Sequence, residues 1–304
     1  MGIEERLRAT ERRIAVANGL ELQERRIDIA SPPGQVRLLE SGAGDPVLFM
    51  NGISAPGIGM AALAGRLPGH RHLLADLPGH GLSPPYLWQG APLRQQAVNI
   101  LSELLDGLGI ERVTLVGDSL GGLFSLWLAL DQPSRVARAV IVGQPAVAFA
   151  GARGDLIMGM VSAPVFGRMA TWGMRLPTPR LSARWMVRGA FGAHAARSVS
   201  NDIIDIHLLS LRAPGQAASF RSLQRRLTAG RTPRPEHQLT DTELSGFTMP
   251  LLFVWGEDDA FLNPGVGKPT VDKIPTARFV TMPGGHFPWY DDPDLCAALV
   301  AEGL

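Results

Sequence analysis

Cysteine, lysine and tyrosine are almost missing from this chain of 304 residues. Cys296 stands alone, so no disulfide can form within the chain and no cysteine-based metal cluster can be built. Lys268 and Lys273 are the only lysines, and arginine carries nearly all of the positive charge. Lys+Arg 29 against Asp+Glu 28 gives a formal net charge of +1, which offers no electrostatic basis for a nucleic-acid partner or a membrane surface. Long apolar runs are lacking too. The longest, between Asp118 and Asp131, falls short of the roughly 18 residues that span a bilayer. The opening Met1-Gly2-Ile3-Glu4-Glu5-Arg6 has no apolar signal core, and Arg6 breaks the myristoylation pattern. A soluble, cytoplasmic protein with no membrane span is expected, and no sequence signal sets its oligomeric state.

What is present is a hydrophobic content of 45 % arranged with α/β periodicity. Residues 4–17 carry Leu7, Ile14 and Ala17 among charges, which predicts an amphipathic helix within residues 1–20 packed on the outside of the body. Strand-like segments follow at 21–30, 35–41 and 46–50, the first two joined by the turn Ser31-Pro32-Pro33-Gly34. From Val47 the pattern becomes strand, loop, helix: strands at 72–76, 112–117 and 138–142, and helices at 91–108 and 119–131. The apolar runs 113–116 and 139–142 suit parallel strands covered on both faces. Over 144–245 this alternation stops, and Met, Trp, Ala and Arg recur at helical spacings around Pro164, Pro177, Pro179 and Pro214. It resumes with a strand at 251–255, a helix near 266–274, a strand at 278–282 and a helix at 293–302. The predicted fold is α/β: a mostly parallel eight-stranded sheet with helices on both faces, formed by 21–143 and 246–304. A helical cap, 144–245, enters before the penultimate strand.

Residues 113–122 read Val-Thr-Leu-Val-Gly-Asp-Ser-Leu-Gly-Gly and put Ser119 where a buried strand gives way to an apolar helix. A side chain on so sharp a turn needs neighbours without Cβ atoms, which Gly117 and Gly121 supply. Ser119 is the candidate nucleophile. A serine hydroxyl needs a base, and the base needs a third group to fix its tautomer. His286, in Met282-Pro283-Gly284-Gly285-His286-Phe287-Pro288-Trp289, follows the last strand and is the candidate base. His70, His72 and His80 read as turn or core histidines, and His194, His207 and His237 as solvated cap residues more than substrate contacts. Asp259, in Trp255-Gly256-Glu257-Asp258-Asp259, is the candidate acid, with Glu257 and Asp258 read as solvated. After the strand at 138–142, Gly143-Gln144-Pro145 offers no carboxylate. No His-Glu-x-x-His run, phosphate loop or dinucleotide fingerprint is found, so neither metal nor cofactor is implied.

In this order, Ser119, Asp259, His286, the chain resembles the α/β-hydrolase family. Asn51-Gly52, Asp76-Leu77-Pro78-Gly79-His80-Gly81-Leu82-Ser83, the Gly117–Gly121 elbow, Gly256-Glu257-Asp258-Asp259 and Gly285-His286 carry the resemblance from about residue 21 to 304. The resemblance implies an oxyanion hole from the amides of Ile53 and Leu120, and a cap at 144–245. The family usually has His-Gly where this chain has Asn51-Gly52, so Asn51 either replaces that histidine structurally or reaches the pocket. Related dehalogenases and epoxide hydrolases carry aspartate at the elbow, so Ser119 points to acyl-type chemistry. Phe149, Met158, Met160, Val165, Phe166, Met169, Trp172, Met174, Leu176, Trp185 and Met186 mark an apolar cap, interleaved with Arg153, Arg168, Arg175 and Arg180. Asn51, Phe149, Met158, Trp172 and Phe287 are the candidate substrate contacts. The expected function is a cofactor-independent serine hydrolase acting on a medium-sized apolar small molecule. The bond would be an ester, lactone or thioester, or a carbon–carbon bond beside a ketone. A lyase, acyltransferase or cyclase on the same triad is the alternative within enzymes, and a receptor-like binding protein the alternative outside them.

Overall fold

The computed structural model describes residues 2–31, 33–164 and 166–304. Pro32 of the expected turn and Val165 of the cap lie outside the described residues, as does Met1. The strands are β1 (Gln23–Ala30), β2 (Pro33–Ser41), β3 (Asp45–Met50), β4 (His70–Asp76), β5 (Val113–Asp118), β6 (Val136–Val142), β7 (Thr228–Ala229), β8 (Thr232–Pro233), β9 (Leu251–Gly256) and β10 (Ala277–Met282). All but β7 and β8 belong to one eight-stranded sheet, in the order β1-β2-β4-β3-β5-β6-β9-β10. Only β2 runs opposite in direction to the other seven strands. Strands β4, β3, β5, β6, β9 and β10 are parallel throughout, so the loops that leave them open on the same edge. That edge is where a parallel sheet places its chemistry.

The body helices are α1 (Ile3–Ala17), α2 (Ala61–Ala64), α3 (Leu93–Gly107) and α4 (Leu120–Asp131). The cap follows as α5 (Leu156–Ser162), α6 (Phe166–Gly173), α7 (Arg180–Phe191), α8 (Ala195–Ser198), α9 (Asn201–Arg212) and α10 (Gln216–Leu227), and the chain returns through α11 (Asp241–Ser245), α12 (Pro264–Val271) and α13 (Pro293–Ala301). Successive strand residues point to opposite faces, which divides the core in two. Leu48, Met50 and Leu115 pack with α3, α4 and α12, whereas Val47, Phe49 and Val116 pack with α1, α2 and α13. Helix α4 is apolar on every side because it lies between the sheet and α3, with residues 120–129 all buried. Among the described residues, no helix is long and apolar enough to cross a membrane.

The segment 144–245 departs from its expected all-helical character in one place. Strands β7 and β8 pair as a short hairpin, turning at Gly230 with φ +63°, a conformation that glycine adopts without strain.

Candidate active site

Ser119 ends β5 and caps α4 with φ 48° and ψ −110°. This backbone region is costly for any residue with a Cβ and persists only where the surroundings impose it. Here the glycines impose it by letting α4 descend onto the sheet. A Cβ on Gly117 would lie 2.5 Å from the Gly121 oxygen and 2.6 Å from Ser125 Oγ, and one on Gly121 would run into the Met50 carbonyl of β3. Gly52 faces the elbow from the other side, where a Cβ would come within 3.2 Å of Ser119 Cβ. The amides of Ile53 and Leu120 donate to no protein acceptor among the described residues. Both residues line a small chamber with Ser119, and Leu120 stands at the positive end of the α4 dipole.

Gly256 and Met282 are paired across β9 and β10, so the loops carrying Asp259 and His286 leave the sheet side by side. Asp259 Oδ2 accepts from His286 Nδ1 at 2.8 Å and from the Gln144 amide at 3.0 Å, while Oδ1 accepts from the Phe261 amide at 3.0 Å. The carboxylate is thus fixed from three sides, and because it accepts from Nδ1–H it leaves the Nε2 lone pair of His286 free. Burial pulls the imidazolium down, but the charges of Asp259 and Asp118 and the hydrogen bond to Asp259 together outweigh it, and the His286 pKa rises above the ordinary 6.5. Phe261 and Phe287 close on the ring edge-on, at centroid distances of 4.4 and 5.1 Å. Ser119 and His286 line the same cavity. No hydrogen bond between Ser119 Oγ and His286 occurs among the described residues; in ligand-free sites this link is often loose.

Sequence reasoning passed over several neighbours of this site. Asp118, noted only as a break in an apolar run, is fully buried beside Ser119 with neither carboxyl oxygen hydrogen-bonded, and burial lifts its pKa well above the usual carboxylate range. Gln144, set aside for lacking a carboxylate, contributes its backbone amide to Asp259, a contact that no side-chain pattern announces. His207, read as solvated, lines the main cavity. The other histidines are structural or peripheral: His72 and His237 bond backbone carbonyls, His80 bonds Pro78 O, and His194 meets Asp291 near the surface. Glu257 and Asp258 are exposed.

The candidate substrate contacts separate into two groups. Met158 and Phe287 line the main cavity. Asn51, Phe149 and Trp172 do not. The Asn51 amide is turned into its own loop, donating to Pro56 O at 3.0 Å and accepting from the Gly52 amide at 2.8 Å, which is the structural one of its two expected roles. Phe149 is buried against Phe253 and Trp255 in the core. Trp172 is 64 % exposed on the outer face of the cap, because α6 turns Ala170 and Gly173 inward instead, followed by Met174 just after the helix.

Cap and body enclose a cavity of about 480 Å³ whose apolar wall includes Met158, Met160, Met174, Met186, Phe191 and Phe287. Thioether side chains adapt to irregular shapes. No arginine or lysine lines this cavity among the described residues. Its carboxylate, Asp155, caps α5 by accepting from the Met158 amide at 2.7 Å.

The family model described as the alpha/beta hydrolase fold matches residues 45–293. A 2-hydroxy-6-oxononadienedioate/2-hydroxy-6-oxononatrienedioate hydrolase of Cupriavidus pinatubonensis is 29 % identical over 217 residues, 69 % of this chain and 67 % of that protein. A 2-hydroxy-6-oxo-2,4-heptadienoate hydrolase of Pseudomonas putida is 30 % identical over 196 residues, 62 % of this chain and 63 % of its own. In fold, the chain is similar to carboxylesterase CesB of Bacillus subtilis (TM-score 0.76, 16 % identity, 100 % of this chain and 98 % of that one covered). It is also similar to the 2-hydroxy-6-oxo-6-phenylhexa-2,4-dienoate hydrolase of a Rhodococcus (TM-score 0.75, 16 % identity, 93 % and 99 % covered). With a strand-to-helix elbow at Ser119 and a family match across most of its length, the chain belongs to the alpha/beta hydrolase family and is a serine hydrolase.

Proposed function

We propose that the protein is a cofactor-independent serine hydrolase that cleaves esters of neutral, medium-sized apolar molecules, with Ser119, His286 and Asp259 as its triad. Ser119 Oγ attacks the carbonyl carbon as His286 Nε2 takes its proton, and Asp259 holds the imidazole by Nδ1–H. The amides of Ile53 and Leu120 bind the oxyanion, for which removing one donor typically costs about 10²–10³ in turnover. His286 then protonates the leaving group, and water, activated by the same imidazole, releases the acid from Ser119. The observation that carries the neutral-substrate reading is the cavity wall: apolar, without a cation and with the carboxylate of Asp155, it favours an uncharged guest over an anionic one.

A second reading, cleavage of a carbon–carbon bond beside a ketone, is supported by the names of the 29 % and 30 % identical relatives. Dianionic substrates such as the dioates named there need cationic partners; among the described residues the main cavity offers none, and the small chamber beside Ser119 offers Arg153 alone. One assay separates the two: p-nitrophenyl and alkyl esters run beside 2-hydroxy-6-oxo-dienoates, with Ser119→Ala as control. Ester turnover, lost by about 10³-fold or more in Ser119→Ala, with covalent labelling of Ser119 by an organophosphonate, is expected. Turnover of the dienoates alone would overturn the ester reading. A folded chain that neither turns over any substrate nor takes the label would overturn the proposed triad.

A further inference from the structure

His207 projects from α9 into the aromatic side of the main cavity, with ring centroids of Phe191, Tyr290 and Phe287 at 5.1, 6.2 and 6.3 Å. Its Nε2 lies 3.2 Å from the Tyr290 hydroxyl. That hydroxyl has one proton and gives it to the Gly59 carbonyl at 3.0 Å, since a carbonyl can only accept. With its proton on the nearer acceptor, Gly59 O, the Tyr290 oxygen accepts from His207, the arrangement that places the imidazole hydrogen on Nε2. Burial keeps the ring neutral by pushing its pKa down to about 4, so the second nitrogen, Nδ1, carries a lone pair and no proton. Nδ1 meets no protein donor among the described residues and is not among the polar atoms sealed off from open space. The chain Gly59 C=O, Tyr290 O–H, His207 Nε2–H thus turns His207 into an acceptor on a mostly apolar wall, with Phe191, Leu208, Leu211 and Phe287 among its neighbours there.

We propose that His207 is a specificity-determining residue whose Nδ1 accepts a hydrogen bond from a hydroxyl or N–H group on the apolar arm of the substrate. The inference deepens the ester-hydrolase reading and rests on it: the preferred ester carries a neutral donor removed from the scissile carbonyl, because the Phe287 ring stands between His207 and His286. A site built around a buried hydrogen-bonding group discriminates against analogues that leave the group unpaired.

The test uses matched triplets: p-nitrophenyl esters of ω-hydroxyalkanoic acids of increasing length, their O-methyl ethers and the unsubstituted acids, together with acetate esters of the corresponding diols, mono-ethers and alkanols, so that both arms are sampled. Binding is measured on the full-length Ser119→Ala protein and kcat/KM on the Ser119 protein. At the optimal length the hydroxyl compound is expected to bind about tenfold more tightly than its ether, and His207→Leu should narrow that ratio to within about twofold. His207→Gln, which keeps an acceptor, should restore part of it. Tyr290→Phe provides a second route, since without the phenol oxygen the tautomer is no longer fixed and the ratio should also narrow. A ratio near one at every length in both arms, or one that survives both His207→Leu and Tyr290→Phe, overturns the proposal. Because binding to Ser119→Ala needs no turnover, hydroxyl-selective binding without hydrolysis overturns the ester-hydrolase reading alone, and hydrolysis without hydroxyl selectivity overturns the His207 inference alone.

Discussion

At the scale of single residues, the three positions of the proposed triad are held by different means. Ser119 is held by backbone strain that its glycine neighbours permit, His286 by a carboxylate, and Asp259 by that imidazole and two backbone amides. Ser119, His286 and Asp259 stand out in the sequence as candidates because each follows a strand end and their order matches a known family. Their supports were not legible, since the Gln144 and Phe261 amides come from the main chain and Asp118 and His207 show their placement only in three dimensions. The Asp259–His286 pair yields a pH prediction. The proposed base, His286, must be neutral to act, and against its burial the Asp259 and Asp118 carboxylates raise its pKa above 6.5, so kcat/KM should fall as pH drops through a value above 6.5. Asp259→Asn removes the charge and the tautomer control together. It should lower kcat by about 10⁴, the scale known for triads that lose the orienting carboxylate, and shift any residual acid limb to lower pH. A limb that stays in place in Asp259→Asn would show that another group sets it, with Asp118 as the nearest candidate.

At the scale of elements, the sheet was read from sequence almost strand for strand because parallel strands buried on both faces appear as apolar runs, as in residues 115–116 of β5, 139–142 of β6 and 251–255 of β9. The cap was read as helical but not in detail. Its helices bury one face against the cavity and leave the other to solvent, and a periodicity alone does not say which face is which, so Trp172 was assigned inward and lies outward while Met174, two residues on, lines the cavity. The elbow gives a sharper case. Gly121 and Gly122 are both glycines at the start of α4, but a Cβ on Gly121 would collide with the Met50 carbonyl of β3, whereas the nearest atoms to one on Gly122 are Ile141 Cγ2 at 3.1 Å and the Gly117 oxygen at 3.3 Å. Gly121→Ala should therefore cost about 3 kcal/mol or more and abolish turnover, and Gly122→Ala should stay within about 1 kcal/mol of the parent. Urea denaturation of the pair checks this, and equal midpoints would contradict the close α4–β3 contact.

At the scale of the whole molecule, α1 ties the cap to the sheet. Its Arg13 pairs with Asp202 of α9 at 2.7 Å, on the helix that carries His207. Its Glu11 is buried against Arg37 of β2 at 2.7 Å, and Arg37 also holds Asp76 of β4 at 2.8 Å and Glu24 of β1 at 2.9 Å. Asp76 in turn accepts from the Gly57 and Leu82 amides, which shape the loops after β3 and β4. One buried guanidinium therefore neutralises carboxylates from three other elements. Arg37→Met would leave Glu11 and Asp76 buried without a cation, and breaking one side of a buried ion cluster typically costs about 3–5 kcal/mol. The deficit should depend on pH in a stated direction. Burial already raises the Glu11 pKa against the pull of Arg37, so its folded-state preference for the proton favours folding below 4.5 and is lost as pH rises through the raised value. Removing Arg37 raises that pKa further and enlarges the deficit at pH 7. Glu24 works the other way in the parent protein: although burial opposes it, its pairing with Arg8 and Arg37 lowers its pKa to about 2, a stabilisation present above 4.5 and lost as pH falls toward 2. Arg37→Met forfeits part of that as well, again at neutral pH more than in acid. Urea melts of the parent and Arg37→Met at pH 7 and pH 4.5 should thus show a gap that closes on acidification, and a gap that is constant or widens in acid would mean that packing of the arginine stem, not its charge, holds α1 to the sheet.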